Sequence, residues 1–169
     1  RGRPMSHETP ERMHARAAQE LAAVLPKADT LTTRERLKIP AQAMPAQDPA
    51  VRRRNVEEVA LGYSAAQARL EALRCLQCRN APCVAGCPVR IDIPAFVQAI
   101  VADDLSGAIR IIKQSSLLPS VCGRVCPQEV QCQEHCTVGR SLKDVGQAVM
   151  IGRLERFVAD WERERGAAK

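Results

Sequence analysis

The chain has 169 residues, eight cysteines, a formal net charge of +6, and one Trp, one Tyr and two Phe as its whole aromatic complement. So few rings leave almost no platform for base stacking, and Lys and Arg are interleaved with Asp and Glu, so the positive charge predicts no nucleic-acid partner. No apolar run approaches bilayer length, which predicts no membrane span.

Residues 6–25 read as a helix: Ser6 can cap it, Glu8 and Glu11 suit its first turn, and Met13, Ala17, Leu21 and Val24 trace an apolar stripe. Pro26 ends it. From there to about residue 54, Pro26, Pro40, Pro45 and Pro49 stand among charged residues. That composition predicts an extended arm with Leu37, Ile39 and Met44 as anchor points. Ser64 caps a second helix, Ala65 to about Arg74, with Ala66, Leu70 and Leu73 on one side, and it delivers the chain into Cys75. Asp92-Ile93-Pro94 is a helix start, and two short helices are predicted over 95–102 and 105–114, joined at Asp103-Asp104. Pro119, Gly123 and Pro127 predict turns and short helical pieces. A final helix is predicted from roughly Gly146 to Arg165, with residues 166–169 frayed. No alternating strand of useful length is present, so the fold class is all-α.

All eight cysteines fall between residues 75 and 136, in two runs. The first is Cys75-x2-Cys78-x4-Cys83-x3-Cys87-Pro88 and the second Cys122-x3-Cys126-Pro127-x4-Cys132-x3-Cys136. Soft thiolates at such spacing can converge on one metal centre, and eight are enough for two. Bacterial ferredoxins use Cys-x2-Cys-x2-Cys-x3-Cys-Pro, in which the fourth cysteine serves the other cluster. By that logic Cys75, Cys78 and Cys83 serve one 4Fe–4S cluster and Cys87 turns to a second, with the remaining ligands drawn from the later run. The expected architecture is a helical domain wrapped around two 4Fe–4S clusters. Two zinc sites also fit the even count, although zinc ribbons pair two Cys-x2-Cys knuckles and only one is present. Arg1–Met5 has no hydrophobic stretch behind it, so a secretory signal is not predicted. The expectation is a reducing, cytoplasmic setting in which metal ligation is favoured over disulfides.

Glu155 shares a helix face with Ala148, Ile151, Val158 and Ala159. An acid inside an apolar stripe needs a partner, because burying a lone carboxylate is costly. The readings that stand are a salt bridge to Arg124 or Arg153, an exposed helix rim, or coordination of iron. His7, His14 and His135 are isolated and read as surface residues, with His135 placed to tune the adjacent Cys136. No Gly-x-Gly-x-x-Gly, Walker loop, His-Glu-x-x-His or nucleophile elbow is present, so no catalytic site is expected on this chain.

The stretches Arg74-Cys75-Leu76-Gln77-Cys78, Ala81-Pro82-Cys83 and Gly86-Cys87-Pro88-Val89 carry a resemblance. So do Ile91-Asp92-Ile93-Pro94, Cys122-Gly123-Arg124-Val125-Cys126-Pro127 and Ile151-Gly152-Arg153-Leu154-Glu155-Arg156-Phe157. Together they resemble the N-terminal iron–sulfur module of the NADPH-dependent glutamate synthase small subunit and of dihydropyrimidine dehydrogenase. Asn55-Val56-Glu57-Glu58-Val59-Ala60-Leu61-Gly62-Tyr63 is similar to the large subunit of flavin-bifurcating ferredoxin:NADP oxidoreductases. The resemblance covers about residues 36–161, which implies a two-cluster domain over 36–165 and leaves residues 1–35, an N-terminal helix and extension, as a candidate docking element. It implies Cys75, Cys78, Cys83 and Cys136 for the first cluster. For the second it implies Cys87, Cys126, Cys132 and Glu155, and it leaves Cys122 as a spare thiol.

In those families the module runs into an FAD- and NAD(P)H-binding domain, whereas this sequence stops just after the final helix, either as a free-standing subunit that docks onto a separate flavoprotein or as a piece of a longer chain. The expected function is therefore an iron–sulfur electron-transfer subunit. It would relay single electrons between a partner's NAD(P)H-linked flavin and another redox centre of a multi-subunit oxidoreductase. FAD and NAD(P)H are expected on a flavoprotein partner, in a hetero-oligomer. The alternative is a zinc-stabilised, Cys-rich interaction domain without a redox role.

Overall fold

The computed structural model describes residues 8–167, and among these the architecture is all-α, without a strand. Helix α1 (Pro10–Val24) starts from Thr9, whose hydroxyl accepts from the Arg12 amide at 3.5 Å, with Pro10 in the first turn where a missing N–H costs nothing. The expected cap, Ser6, lies outside the described residues. Glu8 precedes the helix and pairs with Arg16 at 2.6 Å. Met13, Ala17 and Leu21 are buried, and the helix lies against α4 (Ala65–Leu73).

The proline-rich stretch is more structured than an extended arm. A 3-10 turn (Leu25–Thr30) leads to α2 (Thr33–Arg36), which a reciprocal capping box between Thr32 and Glu35 closes, and α3 (Pro49–Arg52) follows an Asp48 cap. Ile39 is buried, while Leu37 and Met44 pack against the core. Polar contacts fix the stretch as firmly as these anchors do. The buried Gln42 donates its backbone N–H to Glu71 Oε2 at 2.7 Å, and its carbonyl accepts from the Tyr63 hydroxyl at 2.5 Å and from Arg153 Nη1 at 3.0 Å. Farther on, Ala46 and Ala60 form an isolated antiparallel bridge.

Ser64 starts α4 with a capping box to Gln67. Then come α5 (Pro82–Ala85), α6 (Ile93–Val101) capped by Asp92, and α7 (Leu105–Lys113) capped by Asp104. The α6–α7 joint turns on Asp103, at φ 62°. α8 (Pro119–Val125), α9 (Thr137–Leu142) and α10 (Ile151–Ala167) complete the order. Leu70 and Leu73 of α4, Phe96 and Ile100 of α6, Ile112 of α7, and Leu154 and Val158 of α10 meet in an interior with almost no exposed surface. Each such side chain contributes about 1.5–3 kcal/mol on burial. Among the described residues, no helix is long and apolar enough to cross a membrane.

The last helix does not begin at Gly146. Residues Val145–Gln147 form a 3-10 turn and α10 starts at Ile151. The cause is tertiary. Glu71 and Arg74 form a fully buried ion pair on and just beyond α4. Arg74 donates to the carbonyls of Ile39, Gln147 and Ala148, and Glu71 accepts from the Met150 amide. The Gln147 and Ala148 carbonyls and the Met150 amide are thereby held against α4 and withheld from a helical ladder, which begins only at the Met150 carbonyl.

Candidate metal centre

α4 ends at Leu73 and hands the chain through buried Arg74 to Cys75. The following loop is tight: Gln77 (φ 50°) and Ala81 (φ 32°) both take the left-handed conformation, which costs a non-glycine residue about 1–2 kcal/mol. The loop curls back on itself and returns Cys78 and Cys83 toward Cys75. Cys136 arrives from the later run, immediately before α9. Cys75, Cys78, Cys83 and Cys136 line one recess, together with Ile93 and Val138 among others. Burial, followed by the neighbouring cysteines, pushes the Cys83 thiol up to about 12. Burial likewise lifts Cys75 to about 11. Four thiolates can coexist here only around a compensating cationic centre.

Two outer residues escaped the sequence reading. The Gln77 side-chain amide lies 3.5 Å from Cys75 Sγ and the Cys78 thiol donates to the Thr137 hydroxyl at 3.2 Å. Gln77 sits inside the Cys-x2-Cys knuckle and Thr137 directly follows Cys136, so adjacency was the available signal. His135 faces elsewhere: its Nδ1 is 2.8 Å from the Gln131 carbonyl.

The second group forms where α8 crosses α10. Cys126 closes α8, buried Cys132 follows the 3-10 turn Gln128–Val130, and Glu155 projects from α10. Burial is the first cause of the raised thiols, at about 11 for Cys126 and about 12 for Cys132; Cys87 and Glu155 act on both, and Cys122 acts on Cys126. Cys87, Cys126, Cys132 and Glu155 therefore lie within electrostatic reach of one another. Cys122, half-buried, is the strongest neighbouring influence on Cys126 and also accepts from the Ser116 hydroxyl at 3.8 Å.

Glu155 is 6% exposed, and its Oε1 is buried without a hydrogen-bond partner among the described residues. Burial pushes its carboxyl up to about 7. The salt bridges expected as one reading do not form: Arg124 is engaged by Glu58 and Asp160, and Arg153 donates to the Gln42 carbonyl and the Tyr63 hydroxyl. An orphaned buried oxygen in a native interior calls for an unseen partner. Beside three thiols, that partner fits a metal centre.

Among the described residues, no three His, Cys, Asp or Glu side chains are gathered tightly enough to share one metal ion. Thiolates on a single zinc stand about 3.8 Å apart, given Zn–S near 2.3 Å. Corners of an iron–sulfur cube stand farther apart. The recess offers four thiols and the second group three thiols beside a buried carboxylate, soft donor sets of the kind that iron–sulfur clusters take.

The sequence profile described as dihydropyrimidine dehydrogenase domain II, 4Fe-4S cluster, matches residues 52–167. The chain is 38% identical over 111 residues to the NAD-dependent dihydropyrimidine dehydrogenase subunit PreT of Escherichia coli (strain K12), covering 66% of this chain and 26% of that protein. It is 37% identical over 116 residues to the glutamate synthase (NADPH) small chain of the same organism, covering 69% and 24%. With the corresponding small chain of Azospirillum brasilense the identity is 32% over 130 residues, covering 76% and 26%. The chain thus spans about a quarter of the length of these curated relatives.

Proposed function

Since the chain belongs to the dihydropyrimidine dehydrogenase domain II, 4Fe-4S cluster family, we propose that it is an electron-relay component carrying two such clusters. It passes single electrons between an NAD(P)H-linked flavin on a partner and another redox centre of a multi-subunit oxidoreductase. Cys75, Cys78, Cys83 and Cys136 hold the first cluster. Cys87, Cys126, Cys132 and Glu155 hold the second, and Cys122 holds neither. When bound, the clusters supply one-electron redox chemistry.

The residues around them bind, orient and exclude water. Gln77 points an amide hydrogen at Cys75 Sγ, the Thr137 hydroxyl stands beside Cys78 Sγ, where it is free to donate once that thiol is deprotonated, and α10 keeps Glu155 away from solvent. FAD and NAD(P)H belong to the flavoprotein partner, in a hetero-oligomer in the cytoplasm. Residues 1–35 are the docking element and 36–165 the two-cluster domain. The observation that carries the reading is Glu155 Oε1, buried and unpartnered next to Cys126 and Cys132.

Anaerobic purification tests it. The expected product is brown, with equal iron and acid-labile sulfide, two distinct EPR signals after reduction, and a co-purifying flavoprotein. Colourless protein containing zinc in place of iron sinks the proposal.

A further inference from the structure

Arg36 closes α2, in the stretch ahead of the family's matched span of 52–167. Its guanidinium reaches across to the residues that introduce the first cysteine. Nη1 donates to the carbonyls of Leu73 at 2.8 Å and Cys75 at 3.2 Å, Nη2 to that of Ala28 at 3.1 Å, and Nε to that of Leu31 at 3.4 Å. The first two acceptors lie at the C-terminal end of α4. There the last carbonyls lack intrahelical partners and carry the negative end of the helix dipole.

All four acceptors are neutral. Among the described residues Arg36 has no carboxylate partner. Arg74, the other guanidinium at this point of the chain, is neutralised by Glu71. A half-buried cation without a counter-charge is costly to hold. Here it stands one backbone carbonyl from a thiol of the first site. An anionic group seated on Cys75, Cys78, Cys83 and Cys136 supplies the missing counter-charge.

We propose that Arg36 is a positioning residue that tunes the first cluster. Its uncompensated guanidinium, anchored on the Leu73 and Cys75 carbonyls, favours the reduced state and so holds that cluster's potential up. The step it biases adds one electron and one negative charge; no bond forms or breaks at Arg36 and no proton moves. The proposal rests on the ligand assignment above, in which Cys75 belongs to the first cluster.

The test is an EPR-monitored redox titration of the anaerobically purified holoprotein, comparing wild type with Arg36→Gln and Arg36→Lys. Cys83→Ser identifies the first cluster's signal by its loss. In Arg36→Gln the first cluster's potential should fall while the second's stays in place, and Arg36→Lys should remain nearer wild type. An unmoved first potential in Arg36→Gln overturns the proposal. So does an equal shift of both clusters, or the same shift in Lys and Gln variants. Should Arg36→Gln not hold the first cluster, Arg36→Lys decides. A retained cluster at wild-type potential supports the role, and a displaced potential or a lost cluster overturns it. If Cys83→Ser removes no signal, the ligand assignment itself fails and the proposal falls with it.

Discussion

A methyl group at Gly123 would lie 2.6 Å from the backbone nitrogen of Arg156 and 2.8 Å from its Cα, so α8 and α10 meet backbone to backbone one residue from both Cys122 and Glu155. This crossing sets how near Cys126 stands to Glu155. Gly123→Ala should drive the helices apart and destabilise the protein by about 1–3 kcal/mol, the usual cost of overpacking. Because the wedge opens the second site alone, the variant should lose about half of its iron while keeping the first cluster's EPR signal. Full iron content with wild-type urea unfolding would show that the crossing is not critical.

Glu155 gives the metal-free chain a distinctive pH response. Its carboxyl titrates at about 7 instead of the ordinary 4.5, because burial disfavours the charge. Between those values the folded chain holds a proton that the unfolded chain has released. Stability therefore falls as pH rises through that window, by about 3 kcal/mol at ~1.4 kcal/mol per unit. Urea unfolding of the apoprotein across this range should show that decline. Glu155→Gln should flatten it, and parallel slopes in the two proteins would contradict the burial.

The Glu71–Arg74 pair should behave as a buried charge pair bound to the backbone on all sides. Arg74→Met strips the buried Glu71 of its partner, at a cost of about 3–5 kcal/mol. Adding Glu71→Met should recover part of that loss, so the double variant should be less destabilised than the two single changes combined. The comparison is made by denaturant midpoints. Simple additivity would mean that the two side chains act separately.

Cys122 and Cys132 differ sharply as substitution sites. Cys132→Ser removes a buried thiol that Glu155 and Cys87 both influence, and it should abolish the second cluster's signal. Cys122→Ser should leave iron, sulfide and both EPR signals at wild-type levels. Iron lost equally from the two variants would move Cys122 into the ligand set.

Helix starts set by local chemistry were readable from the residues themselves. Ser64 and Asp92 each cap from within three residues of the helix they begin, and both do so in the structure. The start of α10 was not readable, because it depends on Arg74, some 73 positions earlier, taking the Gln147 carbonyl. Gln42 shows the same limit: its role as a buried junction leaves no periodic trace in a proline-rich stretch. The cysteine spacing announced soft-metal chemistry, yet grouping Cys136 with the first run and setting Cys122 aside needed the family resemblance. Glu155 stood out through the apolar stripe around it. Thr137 and Arg36 did not, since a hydroxyl beside a sulfur or a guanidinium on a carbonyl is recognised only once the folded chain brings the two together.

The recess of Cys75, Cys78 and Cys83 is closed by Cys136, and Glu155 rides on the last helix. A nascent chain leaving the ribosome therefore presents three early thiols long before it owns a complete set of donors for either site. Iron delivered during translation would meet an open, half-built cup. On the proposed assignment the first donor set is complete once Cys136 has emerged, whereas the second waits for Glu155 on α10 to dock, so the order of translation would also be the order in which the two sites can be filled.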